Sequence, residues 1–445
     1  MRHTCSRFLS VCTRLAGVRG QKRTESLIKR MASSFAADRT SVTGENVWVE
    51  FTTLAAKHNA VNLGQGFPDF AAPLFLKKAL ADAVMNDPLN QYTRSMGHLR
   101  LVQVLANVFS PVYGRQLNPL TEMFTAVGGY GVLFSLIHGL VNPGDEVIII
   151  EPFFDCYLPM VKMANGIPKF VSMKLKNEGG TSAKDFVLDR DELAAAFSPK
   201  TKAIIINTPH NPLGKVYSRD ELTMIAELCK ENNVVCISDE VYEWLVFDGL
   251  EHIKIATLPG MWERTVTVGS GGKTFSATGW KLGWAIGPTE LIKCGHDVLV
   301  QTTYTCPTPI QEAIAVGFEH ELAAKGTDES YFKGLSLSLA KKRDLLVKLL
   351  TEAGMKPIVP EGGYFLVADT APLNLTFKSE KNDPYDYEFC RWFTKERGIA
   401  CIPPSAFYSD KSKHLTDKLI RFCFAKKDST LEAAVAQLKD WKGQN

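Results

Sequence analysis

The sequence is defined first by what it has little of. No apolar stretch is long enough to cross a bilayer: the longest, Val132 to Val141, is interrupted by Ser135 and His138 and falls short of the ~20 residues a spanning helix needs. The ten cysteines include no CxxC pair, which argues against a zinc site or a disulfide framework and leaves buried, reduced thiols as the expectation. No repeat period stands out. With 45% hydrophobic and 22% charged residues, the chain has the balance of an ordinary globular protein rather than a disordered, collagen-like or coiled-coil one. The formal net charge is only +3, too small to argue for nucleic acid unless it is concentrated in one place.

It is concentrated. Arg2, Arg7, Arg14, Arg19, Lys22, Arg23, Lys29 and Arg30 stand against the single acid Glu25 in the first thirty residues, and the remaining 43 basic and 47 acidic side chains leave the rest of the chain at −4. Phe8, Val11, Cys12 and Leu15 recur on one helical stripe while Arg2, Arg7 and Arg14 lie off it. This Arg-rich, acid-poor amphipathic pattern is that of a mitochondrial transit peptide, which predicts a matrix location. The alternative is a solvated basic tail, with a cytosolic form starting near Met31.

At 445 residues the chain should hold two or three domains at about 150 residues each. Short apolar runs ending in polar or glycine turns recur through its middle: 146 to 150, 203 to 206, 234 to 238, 265 to 269 and 283 to 287. Helical stretches separate them, such as Arg219 to Glu231 with Leu222, Ile225, Ala226 and Cys229 on one face. Alternating strands and helices predict an α/β fold with a mostly parallel sheet covered on both faces. Further on, a long helix from Leu335 to Ala353, strands in GGYFLVAD, IACIPP and LIRFCF, and a closing helix near Ser429 to Trp441 read as a second, α+β domain.

Four segments carry candidate chemistry. Gly269-Ser270-Gly271-Gly272-Lys273-Thr274 follows a predicted strand. One reading is a P-loop, disfavoured because Walker A needs glycine where Thr267 stands. Lys273 is otherwise a Schiff-base lysine or a plain turn residue. Asn207 to Gly214 (NTPHNPLG) and Asp239 to Tyr242 (DEVY) follow two further strands, at the carboxyl ends where open α/β sheets bind ligands. An amide, a carboxylate, a phenol and a lysine can therefore converge on one crevice. Gly128-Gly129-Tyr130-Gly131 opens a helical run and offers free N–H groups to a phosphate. Pyridoxal 5′-phosphate (PLP), with its pyridine nitrogen, phenolic oxygen, aldehyde and phosphate, matches that inventory.

The spacing of NTPHNPLG, SDEVY and SGGKTFSATGWKLGW, with GQGFPDF before and IRFCF after, resembles the fold-type-I class I/II aminotransferases. Within them it is most similar to the group of kynurenine aminotransferases, glutamine transaminase K and cysteine-S-conjugate beta-lyases. NQYTRSMGH, EPFFDCY and TTYTCPTP look most like the third vertebrate branch of that group. The resemblance covers roughly Asn46 to Trp441. It implies an aspartate aminotransferase-like large domain with a mostly parallel seven-stranded sheet, spanning 76–330. A small domain at 331–445, an N-terminal segment at 46–75 packing on it, and a leader at 1–45 complete the expected organisation.

The resemblance also implies roles. Lys273 would carry the cofactor and, once released by substrate, move the proton between Cα and the cofactor carbon. Asp239 would pair with the protonated ring nitrogen, Tyr242 and Asn207 would bond the phenolic oxygen, and Phe154 would stack on the ring. Gly129, Tyr130, Ser270 and Lys281 would hold the phosphate, with Tyr92 reaching in from a partner subunit. Many relatives carry Arg where Lys281 stands, so a point charge replaces a bidentate fork. Arg421, helped by Asn211 and the backbone of Gly66, would bind the substrate α-carboxylate. Trp48, Tyr130 and, across a dimer interface, Tyr304 would wall the side-chain pocket. The implied activity is transfer of the amino group of kynurenine, or of another aromatic, glutamine-like or sulfur-containing amino acid, to a 2-oxo acid, with beta-lysis of cysteine S-conjugates as a side reaction. No metal, nucleic acid or membrane is implied. The competing readings are a P-loop nucleotide hydrolase, a non-catalytic scaffold, and a different amino-acid specificity within the family.

Overall fold

An unbroken β-branched run needs apolar cover on both faces, and the central sheet has it. The computed structural model describes residues 37–40, 46–176, 179–379, 383–439 and 441. The basic stretch expected to be an address, with Cys5, Cys12 and Met31, lies outside these residues. Residues 38–40 form one 3-10 turn. The body begins with helix α1 (Val47–Lys57), whose first turn is capped by the Asn46 side chain accepting from the Trp48 N–H at 2.9 Å.

Seven strands form the large sheet: β1 (Met123–Val127), β2 (Glu146–Glu151), β3 (Ile167–Ser172), β4 (Thr201–Asn207), β5 (Val235–Asp239), β6 (Thr265–Ser270) and β7 (Leu282–Ile286). Their order is β1-β7-β6-β5-β4-β2-β3. Only β7 runs against its neighbours. The pleat explains how one run of isoleucines serves two cores. Ile204 and Ile206 of β4 pack with Leu222, Ile225 and Cys229 of helix α4, while Ala203 and Ile205 pack with Leu133, Leu136 and Ile137 of helix α2. Here α2 is Gly128–Leu140, α3 is Tyr157–Met163 and α4 is Arg219–Glu231. The expected bounds of α4 are met, and a capping box sets its start: Ser218 Oγ accepts from the Glu221 N–H at 3.2 Å and the Glu221 carboxylate from the Ser218 N–H at 2.9 Å.

The sequence reading overlooked β1 and β3, and both are edge strands. Edges break their apolar runs with polar and proline residues, as Thr125, Pro168 and Lys169 do here.

A smaller antiparallel sheet follows, of β8 (Lys356–Ile358), β9 (Phe365–Asp369) and β10 (Leu419–Cys423), in that order. It is covered by α5 (Tyr331–Glu352), α6 (Tyr385–Glu396) and α7 (Asp428–Leu438), whose Leu339, Leu346, Phe389, Phe393 and Leu431 share a core with Val47 and Phe51 of α1. The IACIPP stretch is a correction. Ile399 and Ala400 pair in parallel with Val61 and Asn62, and only Ile402 reaches the small sheet, as a single antiparallel bridge to Arg421 with N–H···O bonds of 3.1 and 3.0 Å. The prolines at 403 and 404 lack the N–H that a ladder needs.

Seven of the eight described cysteines are buried, Cys294 is half-buried, and none is in a disulfide. No described helix is long and apolar enough to cross a membrane. If the capping box sets the start of α4, Ser218→Ala should cost about 1 kcal/mol, read as a lowered denaturation midpoint at unchanged m-value.

Candidate active site

The carboxyl ends of β1, β2, β4, β5 and β6 open onto one cavity of about 430 Å³. Parallel register makes the ends level, since Asn207 pairs with Asp239 across β4 and β5. Beyond Asn207 the chain turns at once, and the Asn207 side chain builds the turn: its Oδ1 accepts from the Asn211 N–H at 2.7 Å and its Nδ2 donates to the Asp239 carbonyl at 2.9 Å. One amide hydrogen remains for a ligand.

Lys273 sits one turn beyond β6 and is half-buried among the surrounding rings. Its Nζ donates to the Gly66 carbonyl at 3.1 Å and lies 5.5 and 5.4 Å from the ring centres of Tyr242 and Tyr364. Burial pulls its pKa down to about 8, with Arg421 and Lys281 adding repulsion. The glycines before it are there for space. A Cβ on Gly269 would lie 2.2 Å from the Trp284 indole nitrogen, and one on Gly272 would lie 2.9 Å from the Thr278 backbone.

Asp239 ends β5, and Tyr157 of α3 donates to its Oδ2 at 2.6 Å. Burial raises its pKa to about 6, against the pull of that bond and of Lys273. At the far end of the cavity α2 begins at Gly128, so the first N–H groups of that helix have no partner within it. Gly128 adopts φ +73°, and a Cβ there would lie 3.3 Å from the Lys281 Nζ. The Lys281 ammonium, the helix start and the Ser270 hydroxyl therefore share one corner, which suits a phosphate.

Arg421 occupies the opposite end. Ile420 and Phe422 of β10 face the helices, and the pleat turns Arg421 the other way. The side chain is 0% exposed. Its Nη1 donates to Asn211 Oδ1 at 3.2 Å and its Nη2 to the Gly64 carbonyl at 2.7 Å, and Nε has no partner. Phe365, Trp48 and Phe407 surround it at 4.2, 5.0 and 5.1 Å from their ring centres. Burial pulls this guanidinium down to about 10. A buried arginine held only by neutral oxygens is a site awaiting a carboxylate.

Of the fifteen residues singled out from the sequence, thirteen line this cavity: Trp48, Gly66, Gly129, Tyr130, Phe154, Asn207, Asn211, Asp239, Tyr242, Ser270, Lys273, Lys281 and Arg421. Tyr92 and Tyr304 do not. They meet edge to face at 5.7 Å on the surface, 86% and 49% exposed. The backbone oxygen at Arg421 belongs to Gly64, while that of Gly66 is taken by Lys273. Sequence reasoning missed Tyr157 and also Asp155, whose carboxylate accepts from the Trp48 indole. A signal was present, because EPFFDCY follows β2 at the same carboxyl edge that made the other segments candidates.

The aminotransferase class I and II family profile matches residues 58–438. The chain belongs to the class I and II aminotransferases. Such enzymes use PLP, and the cavity fits it: a half-buried lysine, a carboxylate for the ring nitrogen, a phenol, and a cationic corner with free backbone N–H groups. Relatives of this aminotransferase include mouse (Mus musculus) kynurenine–oxoglutarate transaminase 3, 52% identical over 93% of this chain and 92% of that protein. Human (Homo sapiens) kynurenine–oxoglutarate transaminase 1 is 46% identical over 93% and 99%. Bna3p of Saccharomyces cerevisiae, a solved structure, superposes with a TM-score of 0.85 at 34% identity, covering 91% of this chain and 98% of that one.

Two expectations follow for the aminotransferase. In the cofactor-free protein, trinitrobenzenesulfonate should modify Lys273 with a rate that rises through a midpoint near pH 8, well below the ~10.4 of exposed lysines, as read by peptide mapping. In Gly283→Ala the new Cβ would lie 2.5 Å from the Gly128 carbon and the Gly129 nitrogen. It should displace the start of α2 and weaken PLP binding about tenfold or more, measured by fluorescence titration.

Proposed function

We propose that the enzyme moves the amino group of kynurenine, or of another aromatic, glutamine-like or sulfur-containing amino acid, to a 2-oxo acid, working as a homodimer in the mitochondrial matrix. Beta-lysis of cysteine S-conjugates is its side reaction, in which a sulfur leaving group departs from Cβ with its electron pair. The observation that carries the substrate class is Arg421, fully buried and held only by the neutral oxygens of Asn211 and Gly64. It fixes the α-carboxylate end of a substrate about which the rest of the cavity is arranged.

When bound, PLP supplies the electron sink for the pair left at Cα. The chain supplies everything else. Asp239 would take the ring nitrogen, with its Oδ2 directed by the Tyr157 hydroxyl. Lys273, with a pKa near 8, is able to exist as a neutral amine near physiological pH and so to take and return a proton at Nζ. Tyr242 and the remaining Asn207 hydrogen would bond the phenolic oxygen. Lys281, Ser270 and the N–H groups opening α2 would hold the phosphate. Trp48, Tyr130, Phe154 and Phe365 exclude water from the Cα side.

The side-chain preference rests on those same aromatic walls and on the names of the relatives. Among the described residues the cations lining the cavity are Lys273, Lys281 and Arg421, and each is assigned, which leaves none of them for a distal carboxylate. For the dimer, Tyr92 and Tyr304 support shared sites, together with Leu74, Val84 and Met85, which are exposed on and beside one face of the helix Leu74–Met85. The matrix location rests on the basic leader.

A panel of amino acids and oxo acids ranked by kcat/KM tests the substrate class. Kynurenine, glutamine, phenylalanine and methionine should lead, and aspartate leading by tenfold would overturn it. Arg421→Lys, which keeps the charge and loses the fork, should cost about 2–3 kcal/mol in kcat/KM, roughly 30- to 150-fold. Sedimentation and N-terminal sequencing of the native protein test the dimer and the loss of the leader.

A further inference from the structure

The turn that presents Asp239 and Tyr242 to the cavity has a second face, to which the chemistry so far assigns no role. Glu240 and Glu243 alternate with the two cavity residues and point the opposite way, both buried. Two adjacent buried carboxylates repel each other, yet a single ammonium joins them: Lys254 Nζ lies 2.7 Å from Glu240 Oε2 and 2.6 Å from Glu243 Oε2. His252 Nε2 meets the same Glu240 oxygen at 2.8 Å, and Ser238 of β5 donates to the other at 2.7 Å. Lys254 is itself buried, with the Phe109 and Tyr113 ring centres at 5.1 and 5.7 Å. Burial pushes Glu240 up, but Lys254 and His252 overcome it and hold the carboxyl near 2. Burial raises Glu243, and Lys254 offsets this only in part.

Such a cluster is a poor way to gain stability, since well-packed apolar side chains of equal volume often do as well or better. Its yield is geometric. The Glu243 N–H bonds the Glu240 carbonyl at 2.9 Å, so the turn closes between the two residues that Lys254 clamps, with Tyr242 inside it and Asp239 next to it. We propose that Lys254 is a positioning residue for the cofactor, fixing from behind, through Glu240 and Glu243, the direction in which Asp239 and Tyr242 face the cavity. The inference rests on the assignment of those two residues to the ring nitrogen and the phenolic oxygen.

The test uses the full-length holoenzyme. Lys254→Met alone leaves two buried carboxylates unpaired and risks unfolding, so it is combined with Glu243→Gln, which keeps the cluster's net charge. The double variant should unfold within a few degrees of the parent without cofactor. Its dissociation constant for PLP should rise at least tenfold and its kcat fall at least tenfold, with KM for the amino acid within about twofold. Parental PLP affinity and kcat in the folded double variant would overturn the proposal. A near-isosteric second arm, Glu240→Gln, removes a buried negative charge beside Asp239. It should move the pH midpoint of the bound cofactor's visible absorbance to lower pH, and an unmoved midpoint would also count against the proposal, including where the double variant does not fold. Asp239→Asn separates the two levels. If it leaves cofactor affinity and midpoint unchanged, the reading of the site fails; if it collapses both while the variants behind the turn do nothing, only the role of Lys254 fails.

Discussion

The structure depends on a guanidinium buried without an ion pair to any described residue. Arg421 is enclosed by rings and satisfied only by an amide and a carbonyl oxygen, an arrangement that costs desolvation and recovers only part of it. It persists because β10 leaves it no alternative: the residues on either side, Ile420 and Phe422, are anchored in the helix-covered core. Reorienting Arg421 would mean inverting the strand. The same low-dielectric pocket depresses Lys273, and Arg421 itself adds repulsion to that shift. A substrate carboxylate would neutralise the first cation and so ease the second toward its charged form. Binding of a carboxylate at Arg421 would in this way reach the Lys273 amine through the field, without direct contact.

The sheet converts that field into an ordered site. Parallel strands place their carboxyl ends at one level, so residues far apart in sequence arrive together: Asn207 beside Asp239, and Lys273 one turn past β6. The turns after β4 and β5 are built by the site residues themselves. Asn207 spends both ends of its amide on backbone, and the DEVYE turn divides its side chains between cavity and core. Such residues cannot be assigned to fold or to function alone, since the contacts that shape the turn also aim the chemistry.

This explains which parts were legible in the sequence. Central strands such as AIII and VVCIS announce themselves because both faces are buried. The edge strands β1 and β3 do not, because an edge tolerates Pro168 and Lys169. Lys273, Asp239 and Arg421 were legible because each is a polar residue stranded in or just after an apolar run, where only a partner or a ligand accounts for it. Asp155 and Tyr157 lack that contrast, lying in a loop and at a helix start, and their importance appears only when α3 brings the tyrosine hydroxyl to 2.6 Å from Asp239. The pairing of Glu240 and Glu243 with Lys254 was equally hidden. Nothing in the spacing says which face of a turn a glutamate will take.

The polarity of the cavity also limits where specificity resides. In the proposed assignment its phosphate end falls to Lys281 and the start of α2, its ring to Asp239 and Lys273, and its carboxylate end to Arg421. These are demands that any amino-acid substrate of a PLP enzyme meets alike, so they set affinity for the class and do not choose among its members. Choice falls to the surfaces that remain, Trp48 and Tyr130 above all. Trp48 is not free to move, since its indole is tied to Asp155. A fixed flat wall rewards a flat or polarisable side chain by contact area, and one lacking a charged group of its own cannot neutralise a distal carboxylate. The proposed preference for uncharged side chains thus rests on the walls, and on the lack of a fourth cation among the described lining residues, as much as on the three cations that are there.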